Sequence, residues 1–395
     1  MAKDFSFKNT FTPIQKKESL FALLGISDID KFEKLISDGV EKAYYIKPPI
    51  EKKNGGHRIV YAPNRMLKSI LRKINNKIFS QINFPDYLYG SIPDKENPRD
   101  YILCAQQHCK SKILVKMDIE NFFPTMKSKF VYQIFKELFR FSDEVSNILT
   151  TLTTYEGFVP QGAPTSTYLA NLYFHDCEPS KVSYLRKLGF RYTRLIDDIT
   201  ISRLNKEEDW KFVESVISNF IKQKELTVNS EKTKLLSAKS PQSFKVHGLC
   251  IEHDTPRFTK TERTNIKTQV HQVVRTGYGR DQIRMQPSYH KKYFSVKGKI
   301  TKLKRVDCPD YPVLKNLLKK HCDPLPEHKE IKRINRVISN LSKDHVSIGH
   351  TERYKSRYFQ VVFRLDILKK LYPVEARMRI KKPLTDIISY TIIII

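Results

Sequence analysis

The sequence is poor in the features that mark secreted and membrane proteins. It has 6 cysteines in 395 residues, too few for a disulfide framework in a chain of this length, so we predict a reduced, cytoplasmic protein. No apolar run approaches the roughly 18 residues that a membrane-spanning helix needs, and the Ile392–Ile395 tract is far too short. The first residues lack the apolar core of a secretory signal. We therefore expect no membrane partner.

Positive charge, by contrast, is abundant and unevenly distributed. Lysine and arginine number 71 against 42 aspartate and glutamate, a formal net charge of +29. Residues 256–395 carry 32 basic and 12 acidic residues, a net charge of +20, whereas the first 255 residues carry only +9. A basic C-terminal region beside a more balanced body indicates a polyanion-binding module attached to a chemical core, and nucleic acid is the expected polyanion. A charge excess that serves only solubility is the alternative.

Hydrophobic periodicity predicts an α+β fold. The predicted helices lie at Leu67–Ile78, Phe130–Leu138 and Trp210–Phe220, and the predicted strands at Ile113–Ile119, Phe190–Ile196, Ile199–Arg203, Lys234–Ser237 and Phe244–Ile251. Asp197 and Asp198 separate two of these strands, a connection short enough for a tight hairpin. We predict a loosely structured lead-in at residues 1–25, an α+β domain at 26–255 and a basic, mainly helical region at 256–395.

Three aspartates fall at the ends of predicted strands. Asp118 lies near the end of one strand, and Asp197 and Asp198 lie between two others. Carboxylates held at the edge of a buried sheet repel one another unless a cation lies between them. Mg²⁺ prefers hard oxygen ligands, and two such ions about 4 Å apart can stabilise the attacking and leaving oxygens of a phosphoryl transfer. The pattern predicts two-metal nucleotidyl transfer, although taken alone Asp197 and Asp198 also fit an ordinary solvated turn.

Four ordered motifs resemble those of bacterial reverse transcriptases. They are Lys116–Phe123 (KMDIENFF), Gln161–Ser166 (QGAPTS), Arg194–Asp198 (RLIDD) and Asn229–Thr233 (NSEKT). The resemblance implies a right-hand polymerase fold, with fingers and palm at 26–255 and a helical, basic thumb after them. It also implies an RNA-directed DNA polymerase that uses deoxynucleoside triphosphates (dNTPs). One position departs from the family, since Leu195 stands where the box of two aspartates normally begins with a tyrosine.

The resemblance also implies roles for residues around the aspartates. Asp118 and Asp197 are expected to bind both Mg²⁺ ions, with Asp198 as a second-line ligand. Ile119 is expected to offer its backbone carbonyl to the metal. Phe123 stands where the family places the aromatic side chain that excludes a ribose 2′-hydroxyl, so it is the expected sugar-selecting residue.

Further residues are expected to bind the incoming nucleotide. By resemblance, Gln161 and Gly162 shape the pocket around the nucleotide and the template base. Lys232 is expected to protonate the leaving group or to neutralise the triphosphate. Arg58, in the fingers segment Gly55–Val60, is the expected triphosphate contact, because a planar guanidinium group can donate two hydrogen bonds to a phosphate at once.

Three more elements resemble those of retron reverse transcriptases. Cys104–His108 stands where retron enzymes have Asn-Ala-Xaa-Xaa-His, Val246–Gly248 where they have Val-Thr-Gly, and Val296–Ile300 resembles the segment that opens their thumb. Two positions depart from these patterns, with Cys104 in place of Asn and His247 in place of Thr. RNA contacts are expected in these elements, at His108, Val246, His247, Gly248, Lys297 and Lys299.

A retron-type enzyme implies a particular substrate and partners. The resemblance implies a cognate structured non-coding RNA, from whose guanosine 2′-hydroxyl DNA synthesis starts, a branched RNA-linked DNA product, and an effector protein encoded nearby for anti-phage defence. Exposed aromatic side chains of the basic region are expected to stack on unpaired bases. The candidates are Tyr278, Tyr289, Tyr293, Phe294, Tyr354, Tyr358 and Phe359. Two alternatives stay open: another defence-class or group II intron-like reverse transcriptase, and an RNA-binding scaffold whose polymerase activity has decayed.

Overall fold

The chain divides into two compact units, Met1–Pro256 and Arg257–Ile395. The computed structural model describes residues 6–51, 55–94, 98–204, 210–237, 244–325, 330–349 and 351–371. Within these ranges, no helix combines the length and the apolar composition that crossing a membrane requires. The isoleucine tract at 392–395 lies outside the described residues.

The first unit combines short helices with a central sheet. Its α-helices are α1 (Lys17–Leu24), α2 (Ile29–Ser37), α3 (Arg65–Lys77), α4 (Tyr101–Gln106), α5 (Phe122–Thr125), α6 (Ser128–Gln133), α7 (Asp143–Thr153), α8 (Ser166–Leu172), α9 (Glu178–Lys187) and α10 (Trp210–Gln223). Turns of 3₁₀ helix lie at Val40–Ala43 and Phe79–Gln81, and a π-helical turn, Ile134–Leu138, continues α6. Its strands are β1 (Lys8–Asn9), β2 (Tyr44–Ile46), β3 (Ile50–Glu51), β4 (His57–Arg58), β5 (Tyr61–Pro63), β6 (Ile82–Asn83), β7 (Leu88–Tyr89), β8 (Ile113–Asp118), β9 (Arg191–Leu195), β10 (Asp198–Arg203), β11 (Lys234–Ser237), β12 (Lys245–Val246) and β13 (Leu249–Cys250).

The sheet that carries the predicted aspartates has the strand order β11–β8–β10–β9–β7. β10 pairs antiparallel with both β8 and β9, β11 pairs antiparallel with β8, and β7 runs parallel to β9. The register sets Asp198 opposite Asp118 on β8 and opposite Leu195 on β9. Two of the three aspartates are therefore direct cross-strand neighbours.

One face of this sheet packs against the main hydrophobic core, and the opposite face carries both polar and apolar side chains. Successive side chains of a strand point to opposite faces, and Val115, Tyr192 and Ile199 belong to the main hydrophobic core of the first unit. The helices α3 and α10 pack into the same core with the apolar faces that their sequence spacing predicts. Lys116 and Asp118 alternate with the core residues of β8, so they lie on the opposite face of the sheet, together with the buried Leu114.

A buried ion pair ties β9 to α9. Arg194 and Glu178 are both fully buried, and the guanidinium group donates to each carboxylate oxygen at 2.7 Å. Tyr192 donates its hydroxyl to the same carboxylate at 2.6 Å. A buried charge is tolerated when it is paired and its remaining hydrogen-bonding groups are satisfied. The guanidinium group meets this condition because it also donates to the backbone carbonyls of Ala170, Asn171 and Ile196.

The N-terminal segment departs from the sequence-based expectation of a loose lead-in. Helix α1 places Leu20 and Leu24 in the main core, and β1 pairs antiparallel with β6. Most of α1 is apolar, and the burial of Leu20, Phe21 and Leu24 stabilises this short helix. Residues 6–25 therefore belong to the folded body of the first unit.

Two hairpins also differ from the prediction. The β9–β10 turn consists of Ile196 and Asp197, one residue earlier than predicted, because Asp198 is already paired within the sheet. The strand predicted at 244–251 is instead the β12–β13 hairpin. Its two-residue turn, His247-Gly248, has φ values of +47° and +84°, as in the type I′ turns that suit tight hairpins.

The second unit is helical after one short strand. Its elements are β14 (Arg257–Phe258), α11 (Lys260–Gly277), α12 (Asp281–Arg284), α13 (Pro287–Lys304), α14 (Asp310–His321), α15 (Glu330–Ile348) and α16 (Glu352–Leu371). Helices α11, α13 and α14 pack against one another. Helices α15 and α16 share an apolar seam of their own. The rings of Phe294 on α13 and Phe363 on α16 meet edge to face at 4.8 Å.

Replacing Glu178 with glutamine should destabilise the first unit strongly. The variant leaves Arg194 buried without a counter-charge, which costs about 3 to 5 kcal/mol of unfolding free energy. Thermal unfolding followed by circular dichroism measures the effect. The matched control is Glu33→Gln, which removes the exposed Lys17–Glu33 pair and should leave the midpoint unchanged because solvent screens that pair. Equal shifts in the two variants would contradict the assigned role of Glu178.

Candidate active site

The three aspartates predicted to be catalytic lie together at one end of the central sheet. Asp118 ends β8, Asp198 opens β10 directly opposite it, and Asp197 occupies the turn before β10. Ile119 donates its backbone N–H to the carbonyl of Asp197 at 3.2 Å. This bond ties the chain that leaves β8 to the turn that carries the other two aspartates.

The turn that carries Asp197 is held in an unfavourable backbone conformation. Ile196 has a φ of +60°, which is sterically costly for a β-branched residue. Arg194 donates to the carbonyl of Ile196 at 3.0 Å. Because this guanidinium group is itself held by the buried pair with Glu178, the core of the first unit holds the turn in place.

The site concentrates negative charge. Desolvation raises the pKa of Asp197, and repulsion from Asp118 adds to the shift. Desolvation, followed by repulsion from Asp197 and Asp118, raises the pKa of Asp198 to about 6, although 52% of its side chain reaches solvent. These carboxylates are hard, mutually repelling donors of the kind that a divalent cation with oxygen ligands prefers. Among the described residues, however, no three such side chains converge closely enough to form a metal site as they stand.

The Asn229–Thr233 motif lies against Asp118. Asn229 donates its backbone N–H to the carbonyl of Asp118 at 2.8 Å and accepts the backbone N–H of Lys232 at 3.1 Å through its side chain. Lys232 Nζ in turn donates to Asp118 Oδ2 at 2.8 Å. The lysine side chain is 57% exposed, so its ammonium group lies at the open edge of the carboxylate cluster.

The predicted nucleotide-binding residues come from neighbouring elements. The carbonyl of Gln161 accepts the backbone N–H of Tyr61 at 2.8 Å, which joins the QGAPTS motif to β5. Gly162 has a φ of +117°, and a Cβ there would lie 2.9 Å from the carbonyl oxygen of Tyr61. Only glycine fits such a position. Arg58 is exposed on β4, and its positive charge lowers the pKa of Asp197, so the structure brings it within electrostatic range of the carboxylates.

Phe123 lies on α5, just beyond the end of β8. It is half-buried against the core, and its ring centroid lies 5.9 Å from that of Phe122. Packing against a buried neighbour holds the exposed part of the ring in place. Its role in sugar selection stays a prediction.

Two of the retron-like positions predicted to contact RNA, His108 and Val246, are buried, so a side-chain contact there is disfavoured and their role in RNA binding stays a prediction. His108 is fully buried, with Nδ1 2.7 Å from Ser202 Oγ and Nε2 2.8 Å from Thr193 Oγ1. Val246 is also fully buried. Neither side chain has an atom free to meet an RNA. Their apolar and hydrogen-bonded surroundings show that both positions serve the packing of the first unit.

His247 lies between Asp198 and Cys104 in the first unit. Its Nδ1 is 3.8 Å from Asp198 Oδ2, and its Nε2 is 3.4 Å from Cys104 Sγ. Burial, with repulsion from Lys116, lowers the pKa of His247 to about 4, so the imidazole is uncharged at neutral pH. The neighbouring Gly248 is exposed, and a role of this residue in RNA binding stays a prediction.

Lys297 and Lys299 lie on α13 of the second unit. Lys297 is exposed over the ring of Phe294, and Lys299 donates to the side chain of Gln269 at 2.6 Å. The RNA contacts predicted for these two lysines stay predictions.

Sequence reasoning missed the buried pair behind the site. Arg194 immediately precedes Leu195 within a buried strand, and Tyr192 lies two residues earlier on the same face. A charged side chain on the core face of a strand requires a buried partner. The need for a buried partner could therefore be predicted from the sequence. The identity of that partner, Glu178, could not, because no motif surrounds it.

Aspartates at the ends of adjacent antiparallel strands, with helices packed behind them, form the palm of right-hand nucleic acid polymerases, and this chain is one of them. Residues 50–271 match the family described as reverse transcriptase (RNA-dependent DNA polymerase), and the chain belongs to that family. It is an RNA-directed DNA polymerase of the retron type. An RNA template and divalent metal ions are general requirements of this family.

The relatives extend over most of the chain. The retron Ec48 reverse transcriptase of Escherichia coli is 30% identical over 97% of this chain and 97% of its own length. The retron Se72 reverse transcriptase of Salmonella heidelberg is 36% identical over 75% of this chain and 76% of its own length. Among solved structures, apo telomerase from Candida tropicalis matches with a TM-score of 0.40 at 14% identity, covering 92% of this chain and 70% of that one.

In the metal-free protein, the free energy of unfolding should depend on pH because Asp198 binds a proton. Its pKa is about 6 in the folded protein, against an ordinary value of 3.8, so the folded state binds this proton more tightly. The unfolding free energy of the metal-free protein should therefore fall as pH rises through that interval. Thermal unfolding in EDTA at a series of pH values measures this dependence. A second measurement at about pH 7.5 with added Mg²⁺ shows how much the metal raises the melting temperature.

The variant Asp198→Asn provides the comparison for this experiment. It should melt higher than the metal-free wild type at neutral pH and gain less from Mg²⁺, because one repelling charge is gone. The exposed Asp38→Asn variant serves as the control and should behave as wild type. A Mg²⁺-dependent rise of equal size in Asp198→Asn and wild type would contradict the prediction.

Proposed function

We propose that this reverse transcriptase copies a cognate structured non-coding RNA into single-stranded DNA that stays joined to the RNA through a 2′,5′ branch. The proposal includes catalysis with two Mg²⁺ ions and a role in anti-phage defence beside a separate effector protein. The clustering of Asp118, Asp197 and Asp198 on paired strand ends carries the catalytic part. The retron relatives, similar over most of the chain, support the substrate and the product.

The residues of the cluster have distinct proposed roles. Asp118 and Asp197 would hold both ions together with the carbonyl of Ile119, and Asp198 would be the second-line ligand. The bound ions would activate the attacking hydroxyl and offset the charge of the leaving pyrophosphate. Lys232, whose ammonium group pairs with Asp118, would turn toward the triphosphate or protonate the leaving group.

The nucleotide pocket is proposed to be built from three elements. Arg58 on the exposed β3–β4 hairpin would bind the triphosphate through its guanidinium fork. Gln161 and Gly162 would line the pocket beside the template base, because their backbone already joins the fingers strand β5. Phe123 would contact the sugar at its C2′ face and exclude a hydroxyl there.

The second unit is proposed to bind the RNA. Its sequence carries most of the excess positive charge of the chain, and phosphate neutralisation supplies much of the affinity for nucleic acid. Tyr278 and Phe359 are more than half exposed in this unit and are suited to stacking on unpaired bases. The other aromatic candidates fit this role less well, since four of them are buried: Tyr289, Tyr293, Tyr354 and Tyr358.

The nucleic acid made in cells tests the proposed product. The chain would be expressed with its native flanking DNA, and total nucleic acid would be extracted. A small DNA should change mobility after RNase treatment and again after treatment with a 2′,5′-debranching enzyme. The control, Asp197→Asn, should make no DNA while the protein still co-purifies with its RNA, because only the chemistry is removed.

The other outcomes of that experiment favour the alternatives. A DNA that debranching leaves unchanged would favour another defence-class or intron-like reverse transcriptase. RNA bound to the wild-type protein without any DNA would favour a scaffold. DNA made equally by Asp197→Asn would refute the catalytic assignment.

The variant Phe123→Ala should accept ribonucleotides more readily. Removing the ring opens space for a 2′-hydroxyl, and we expect the preference for dNTPs to fall about 10- to 100-fold, the range over which a pocket distinguishes substrates by one small group. The ratio of kcat/KM for dNTP and ribonucleotide incorporation measures it. Phe212→Ala, at a partly exposed phenylalanine on α10, is the control. An unchanged ratio in Phe123→Ala would remove Phe123 from this role.

A further inference from the structure

His247 reaches the catalytic carboxylates from the turn of the β12–β13 hairpin. Its side chain is 11% exposed, and Nδ1 lies 3.8 Å from Asp198 Oδ2. The left-handed φ of +47° at this position is one that histidine adopts more readily than most residues. Val246, fully buried next to it, anchors the hairpin. The turn geometry therefore directs the imidazole toward Asp198.

Cys104 on α4 holds the other side of the ring. Its Sγ lies 3.4 Å from His247 Nε2 and 3.3 Å from Thr193 Oγ1, and the thiol is fully buried. The Cys104 thiol has one hydrogen for two acceptors, Thr193 Oγ1 and His247 Nε2. When it donates to Nε2, the ring proton lies on Nδ1 and faces the carboxylate, which is the orientation that attracts rather than repels Asp198. Nε2 of His247 is thus within hydrogen-bonding distance of Cys104, while Nδ1 lies next to Asp198 without a direct hydrogen bond.

These contacts join the two retron-like elements to each other. Cys104 and His247 are the positions at which the sequence departs from the Asn-Ala-Xaa-Xaa-His and Val-Thr-Gly patterns, and their side chains are in contact across 143 positions of the chain. The network continues from Thr193 to His108 and on to Ser202.

We propose that His247 is a positioning residue for Asp198 and that Cys104 orients its imidazole, so that the two retron-like elements support the catalytic carboxylates. This inference rests on the proposed catalytic role of Asp198. Partners that orient a metal-binding carboxylate typically contribute 10- to 100-fold to metal affinity or to activity. The role differs from RNA contact, which the burial of both side chains disfavours.

Kinetics on a defined primer–template test the proposal. The purified full chain would extend oligo(dT) on poly(rA) with dTTP, and kcat and both KM values would be measured. His247→Ala should lower kcat about 10- to 100-fold with KM values within about twofold. His247→Asn should restore much of the loss, because asparagine tolerates the left-handed φ and keeps an N–H donor near Nδ1. The exposed His253→Ala is the matched control and should match wild type.

A double-mutant cycle tests the link to Cys104. Cys104→Ala should lower kcat less than His247→Ala, and the double variant should be no slower than His247→Ala alone, because Cys104 acts through the imidazole. Electron paramagnetic resonance of Mn²⁺ bound with the primer–template provides a readout apart from activity. The affinity should fall about tenfold or more in His247→Ala.

The results that would overturn the proposal are distinct from failure of the proposed function. A wild-type kcat and Mn²⁺ affinity in His247→Ala would refute the positioning role. A loss that follows a fall in melting temperature and is not restored by asparagine would reduce His247 to a structural residue. If the wild type extends no primer, or if Asp198→Asn extends it normally, the proposed catalytic role fails. In that case the Mn²⁺ measurement still tests the inference, because equal Mn²⁺ affinity in wild type and His247→Ala would reject the positioning role of His247.

Discussion

The repulsion among the carboxylates of Asp118, Asp197 and Asp198 is the constraint on which the rest of the palm depends. Antiparallel pairing of β8 and β10 forces two of them to be cross-strand neighbours. Charges held this close raise each other's proton affinity, and they stay in place only because the surrounding fold leaves them no other arrangement. The carboxylate cluster is therefore a locally unfavourable feature that the remainder of the first unit stabilises.

On the core side of the sheet, the buried side chain of Arg194 links the core to the turn that carries Asp197. The guanidinium group of Arg194 donates hydrogen bonds to Glu178 and to three backbone carbonyls, including that of Ile196 in the turn. A buried ion pair of this kind contributes little net stability compared with apolar packing. Its value here is geometric, because a fully satisfied guanidinium group holds a strained turn in a single conformation.

Two other segments of the first unit also lie beside the carboxylates. Lys232 neutralises part of the charge of Asp118, while the hairpin that carries His247 lies beside Asp198. The elements that resemble retron motifs differ in how exposed they are. His108 is hydrogen-bonded inside the first unit, whereas Lys297 and the exposed aromatic side chains of the second unit have the exposure that an RNA-binding surface requires.

The helices α3 and α10 and the strands β8 and β11 could be predicted from periodicity, because burial of one apolar face is a local property of the sequence. The aspartates could be recognised because the motifs around them are contiguous. The pairing of Arg194 with Glu178, and the contact of Cys104 with His247, could not. Those contacts join segments whose approach depends on strand order and helix packing, and a side chain's partner is decided only when the chain has folded. Local sequence thus determined the chemistry available to this enzyme, and tertiary structure decided which side chains hold it in place.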